Sequence, residues 1–143
     1  MSNRLSETPA RIAILDVNAP APWVSMNDRS HWHAKAKLTK RWRTASAWQA
    51  RAAKVRPFTC PVRIRAVVHK ATPNRYDAHN LAPTAKAVID GLVDAGVLAG
   101  DDNDRLVSLE MAAGTRREVA SLVLYIEAVP ASAKVVHHKG EQA

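Results

Sequence analysis

With 143 residues, 47% of them apolar, the chain has the length of one ordinary domain with its own core and is too short for two comfortable ones. Its formal net charge of +8 and pI near 10.2 favour a phosphate-bearing partner, nucleic acid first, with anionic lipid or plain solubility as other uses of a basic surface. A single cysteine, Cys60, excludes an intramolecular disulfide framework and a Cys-rich zinc site; no apolar run approaches the roughly 20 residues of a bilayer span, and MSNRLSETPA lacks the apolar core of a secretory signal. These features lead to the expectation of a cytoplasmic protein with no membrane partner, in which Cys60 is a packed residue.

Residues 1–10 and 131–143 carry no sustained periodicity and are expected to be flexible ends around a single domain over 11–130. Arg11 to Val17 reads as a short strand, ended by the prolines at 20 and 22. A loop follows with Trp23, Asn27, Asp28, Arg29, Ser30, His31, Trp32 and His33. The two histidines are read as loop residues that contact DNA or solvent rather than as zinc ligands, since no Cys and no helical i, i+4 His pair accompanies them. From about Leu38 to Val55 there is no Gly or Pro, and Ala, Lys and Arg abound, which predicts a helix. Leu38, Trp42, Ala45, Trp48 and Ala52 would form its apolar stripe, with both tryptophans in the core and base stacking as the minor reading.

Pro57 stops that helix, and Val62 to Lys70 alternates apolar and charged before turning continuous, a strand with Arg63 and Arg65 on the face opposite Val62 and Ile64. A second helix is predicted from Pro83 to near Gly96. Arg105 to Ala113 and Ser121 to Val129 read as two more strands, and the intervening Gly114 to Arg117 resembles a hairpin connection. The fold class is therefore α+β, close to α/β: a mixed sheet with two main helices packed on it.

Charge is sorted along the chain. From Arg29 to Tyr76 there are thirteen Lys or Arg and no acid, whereas Asp77 to Glu110 holds seven acids against only Lys86 and Arg105. Such sorting suggests a polyanion held by one part and a divalent cation by the other. On the second helix Lys86, Asp90 and Asp94 share a face, with the small residues Ala87 and Gly91 beside it. Asp77 before the helix and the Asp101-Asp102 pair after it could converge at one sheet edge. Phosphodiester hydrolysis needs phosphate neutralisation, an activated water and stabilisation of the departing oxygen, which Mg²⁺ held by one or two carboxylates supplies, with Lys86 as a point charge toward phosphate. The plain alternatives are solvated surface carboxylates and a turn composition in Asp101-Asp102-Asn103-Asp104.

Asp77-x-x-Asn80-Leu81, then Lys86-x-x-x-Asp90-Gly91-Leu92, Ala95-Gly96-Val97 and Asp101-Asp102 resemble the signature of the RusA family of Holliday junction resolvases. In that family an Asp-x-Asp-Asn-Leu, a Lys, an Asp-Ala-Leu and an Ala-Gly followed by Asp-Asp occur in the same order. Pro22 to Arg29 also resembles the family's Pro- and Asn-containing loop, so the likeness spans about Arg11 to Val129. The resemblance implies a homodimeric, magnesium-dependent endonuclease of DNA recombination and repair, often encoded by phages or prophages, that places paired nicks in four-way junctions.

Under that resemblance Asp77, Lys86, Asp90 and Asp102 are catalytic. Asp77, Asp90, Asp101 and Asp102 are metal ligands, and the family's last Asp falls on Asp102 or on Asp101. Asn27, Arg29, Lys37, Lys40, Arg41, Arg63, Arg65, Arg75 and Asn80 are candidates for DNA contact. The family's second Asp is here His79, which leaves three options: Asp90 takes its place, His79 serves as a ligand suited to Mn²⁺ rather than Mg²⁺, or activity is impaired. The competing readings are a basic nucleic-acid-binding module without catalysis and, less favoured, a scaffold that binds a protein partner through its acidic face.

Overall fold

The computed structural model describes residues 11–27, 29, 31–102 and 104–129; the expected flexible ends lie outside these. In chain order the elements are β1 (Ile12–Asn18), α1 (Trp32–Ala52), β2 (Val62–His69), a 3₁₀ turn (Ala78–Leu81), α2 (Ala82–Asp94), β3 (Leu106–Ala113) and β4 (Ser121–Ala128). The result is the expected mixed α+β fold, a four-stranded sheet with two helices packed on it. Strand alternation explains the layering. Leu15, Val17, Ile64, Val68, Leu122, Leu124 and Ile126 point to the helices and are buried, while Ile12, Ile14, Arg63, Arg65 and Tyr125 occupy the opposite face and are exposed.

The expected β3–β4 hairpin does not form. The strand order is β1-β4-β2-β3, with β4 antiparallel to both β1 and β2, and β3 parallel to β2. The chain after β3 passes the end of β2 instead of turning back: Gly114 N–H donates to Val68 O at 2.7 Å, Arg117 N–H to Lys70 O at 2.9 Å, and His69 Nδ1 lies 2.8 Å from Thr115 O. Burial explains the choice. The run Leu122-Val123-Leu124 is buried on both faces and needs a central position, whereas β3, with exposed Ser108 and Glu110, suits an edge.

The first helix starts at Trp32, earlier than the expected Leu38, because His31 caps it: Nδ1 accepts from His33 N–H at 3.2 Å. Trp32 and His33 thus belong to the helix, and their rings lie 3.7 Å apart between centroids, tilted by 31°. The buried stripe is also rotated from the expected one, running through Trp42, Ser46, Ala47 and Ala50. Trp42 is fully buried, as expected; Trp48 is 69% exposed and is not a core residue. The reason is the neighbour. Ser46 Oγ donates to Val88 O at 2.6 Å, and a Cβ on Gly91 would lie 2.7 Å from Ser46 Cβ, so α1 turns its small residues toward α2 for close packing.

The second helix ends as its sequence foretold. Gly96 has φ +80°, Gly96 N–H donates to Val93 O at 3.0 Å and Val97 N–H to Leu92 O at 2.9 Å, the bond pair of a Schellman stop. Cys60 is exposed rather than packed, because Phe58 takes the buried place in the irregular 53–61 segment, with the Arg11 guanidinium 3.9 Å from its ring centre.

Candidate functional site

The acidic segment is positioned from both sides. Tyr76 packs beneath it, its hydroxyl 3.4 Å from Val68 O, and burial pushes its ionisation above the ordinary tyrosine value. Asp77 then caps the 3₁₀ turn, with Oδ1 accepting from His79 N–H at 3.0 Å. The 23–27 segment is fastened to the same place: Met26 N–H donates to Asn80 O at 2.8 Å, and Thr84 Oγ accepts from Val24 N–H while donating to Val24 O, both at 2.8 Å. Asn27 is exposed at the end of this fastened segment, and Arg29, beyond it, is exposed as well.

Two of the expected acids, Asp90 and Asp101, meet at Lys86. Its ammonium pairs with Asp90 one turn on at 3.6 Å and with Asp101 from the loop after α2. All three side chains are partly exposed, Lys86 at 54% and each carboxylate at 31%. Asp102 turns the other way, accepting from Asp104 N–H and Arg105 N–H and pairing with the Arg105 guanidinium at 2.6 Å. Of the adjacent pair, Asp101 therefore joins Lys86 and Asp90. Among the described residues no group of three or more His, Cys, Asp or Glu is arranged to hold a metal ion.

Asp94, expected on the same face as Lys86 and Asp90, points elsewhere. With 3.6 residues per turn each four-residue step drifts about 40°, so two steps carry Asp94 about 80° around α2, toward α1. There it binds Arg43, with Nε to Oδ2 at 2.6 Å and Nη2 to Oδ1 at 2.8 Å. No local signal could have revealed a partner on another helix. The rotated stripe was better marked, since Ser46, Ala47 and Ala50 match the small Ala87 and Gly91 of the facing helix.

The candidate DNA contacts do not form one surface. Lys37, Lys40 and Arg41 are exposed on α1, with Arg41 also donating to Pro20 O, and Arg75 is exposed in the loop before Asp77. Arg63 and Arg65 project from the open face of the sheet, where Glu127 at 3.6 Å and Glu110 at 3.9 Å accompany them. No helix among the described residues is long and apolar enough to cross a membrane. Fold and site together define a small mixed α+β domain with a lysine held between two carboxylates beside a basic helix. No protein-family model matches the chain, and no curated protein matches it.

Proposed function

We propose that the chain is a magnesium-dependent, structure-specific DNA endonuclease that resolves four-way junctions by paired nicks, acting as a cytoplasmic homodimer. The observation that carries this reading is the meeting of Lys86, Asp90 and Asp101, which brings the loop after α2 onto the Lys86–Asp90 face of the RusA-like motif. The donors there are carboxylate oxygens, the chemistry that Mg²⁺ prefers and Mn²⁺ accepts. Mg²⁺ needs only one or two carboxylates when water and substrate phosphate complete its shell, so Asp90 and Asp101 would hold it, with Asp77 and Asp102 on adjoining segments. When bound, the ion supplies phosphate neutralisation, an activated water and stabilisation of the departing oxygen.

The protein's own contribution is placement and charge. Lys86 carries a positive charge to the phosphate on a long, half-exposed stem, and the acid-free basic helix α1 and Arg75 attract the flanking backbone. Two subunits would present two such sites, matching the two-fold symmetry of a four-way junction.

The second reading, a binding module without catalysis, draws support from the same contacts: the Lys86 ammonium already pairs with both carboxylates. Cleavage of a labelled four-way junction and of linear duplex in Mg²⁺, Mn²⁺ or EDTA, for wild type and Asp77→Asn, separates the two. Paired, metal-dependent nicks lost in Asp77→Asn with binding retained support the endonuclease. Tight binding without nicks in any metal supports the binding module.

A further inference from the structure

We propose that the groove between α1 and the edge strand β1 is a binding site for an unpaired nucleotide, its base stacked on Trp48 and its phosphate held by Lys40 and Arg41. This rests on the reading that the chain binds DNA and adds a second kind of contact to it. The groove has a volume of about 600 Å³, within the range of small-ligand sites and ample for one nucleotide unit. Trp48 forms part of its wall and is 69% exposed, although Trp42 on the same helix is fully buried.

The wall is mainly apolar, through Val17, Pro20, Ala45 and the Trp48 indole, and the polar groups that a nucleotide would use are set into it. Lys40 and Arg41 both stand about two turns before Trp48, and Thr44 and Gln49 bring a hydroxyl and an amide to the same groove. Asp16 is the acid in the lining, and Arg117 pairs with it at 3.2 Å, so it offers little opposition to an anion. The Arg41 guanidinium is anchored on Pro20 O and retains further donors for a phosphate. An indole face beside cations is the arrangement by which single strands are held without regard to sequence, since every base has a face to stack.

The groove is separate from the Lys86 cluster. It borders β1, while Asp101 lies in the loop entering β3, and these strands are the two edges of the sheet, about 14 Å apart at ordinary strand spacing. A strand opened at a junction could thus be gripped away from the acids.

The test is the affinity of the full chain for a labelled oligothymidylate in EDTA, using wild type, Trp48→Phe, Trp48→Ala and Lys40→Ala, and again with an abasic oligomer of equal length. Trp48→Ala should bind oligothymidylate about tenfold more weakly, with Trp48→Phe close to wild type. The difference between wild type and Trp48→Ala should vanish on the abasic strand, where only phosphates remain. Lys40→Ala should lower the salt dependence by about 0.7 in log–log slope, the loss of one single-strand phosphate contact. Unchanged affinity in Trp48→Ala, a difference that persists on the abasic strand, or no binding of oligothymidylate by wild type would overturn the site. Because the assay needs no cleavage, absence of junction nicking would refute the endonuclease reading and leave this one standing.

Discussion

Arg43 of α1 and Asp94 at the end of α2 form a two-pronged ion pair, Nε to Oδ2 at 2.6 Å and Nη2 to Oδ1 at 2.8 Å, which joins the helices beside their closest approach. Arg51 adds a bond from Nη2 to Asp94 O at 3.1 Å, placing a second cation at the carbonyl end of α2, where the helix dipole favours it. The hydrogen bonds from Arg43 hold the Asp94 carboxyl below its usual range, and Asp94 in turn raises the ionisation of Arg43.

A carboxyl depressed in the folded state adds stability above its unfolded value, about 3.9, and loses it as pH falls through the lower folded value. Asp94→Asn should therefore melt slightly below wild type at neutral pH, and the gap should narrow as pH drops below about 4. Both side chains are partly exposed, so the effect is small and should shrink in high salt. Thermal melts across the acid range check this; a gap that stays constant would show that the ion pair adds nothing.

Gly91→Ala tests the helix crossing. Alanine has the better helix propensity by about 1 kcal/mol, which alone predicts stabilisation. Its methyl would collide with Arg43 O and sit 2.7 Å from Ser46 Cβ, and backbone cannot yield as a flexible side chain does. The expected net result is a loss of about 1–3 kcal/mol in urea denaturation. A more stable variant would mean that the helices lie farther apart.

Thr84→Val removes a hydroxyl while keeping the branched shape. Val24 N–H and Val24 O, both served by that hydroxyl at 2.8 Å, would be left in a buried place, at a cost of about 1–3 kcal/mol. Faster hydrogen exchange at Val24 and Met26 is expected with it, since the segment bearing Asn27 would lose a fastening. Unchanged exchange would indicate that the Met26 to Asn80 bond suffices.

Lys86→Ala should lower junction turnover far more than junction affinity. One exposed phosphate contact is weak, whereas a charge aimed at the reacting phosphate contributes on the order of 10²-fold to rate. The check is single-turnover cleavage beside binding in EDTA. Equal losses would reassign Lys86 to substrate binding.

Local pattern carried a good deal of this. The four strands fall within a residue or so of their alternating runs, and Gly96 marks the end of α2 through the left-handed conformation that a Schellman stop requires. The start of α1 was hidden because a His cap at His31 is not a usual signal. In the site, the shared face of Lys86 and Asp90 was legible from their four-residue spacing; Lys ahead of Asp is the less favourable order for an ion pair, yet the two pair at 3.6 Å. Asp101 could be named from sequence, but its choice over Asp102 depended on how the loop after α2 folds back.

By itself the sequence determined which stretches are strand or helix, which sheet face is apolar and where charge accumulates, because these follow from periodicity and composition within a few residues. Tertiary structure alone decided that β4 enters between β1 and β2, that Trp42 is buried while Trp48 faces a groove, and that Asp94 leaves Lys86 for Arg43. Each of these choices is a competition among distant partners for burial and charge, and a short stretch of chain holds only one side of it.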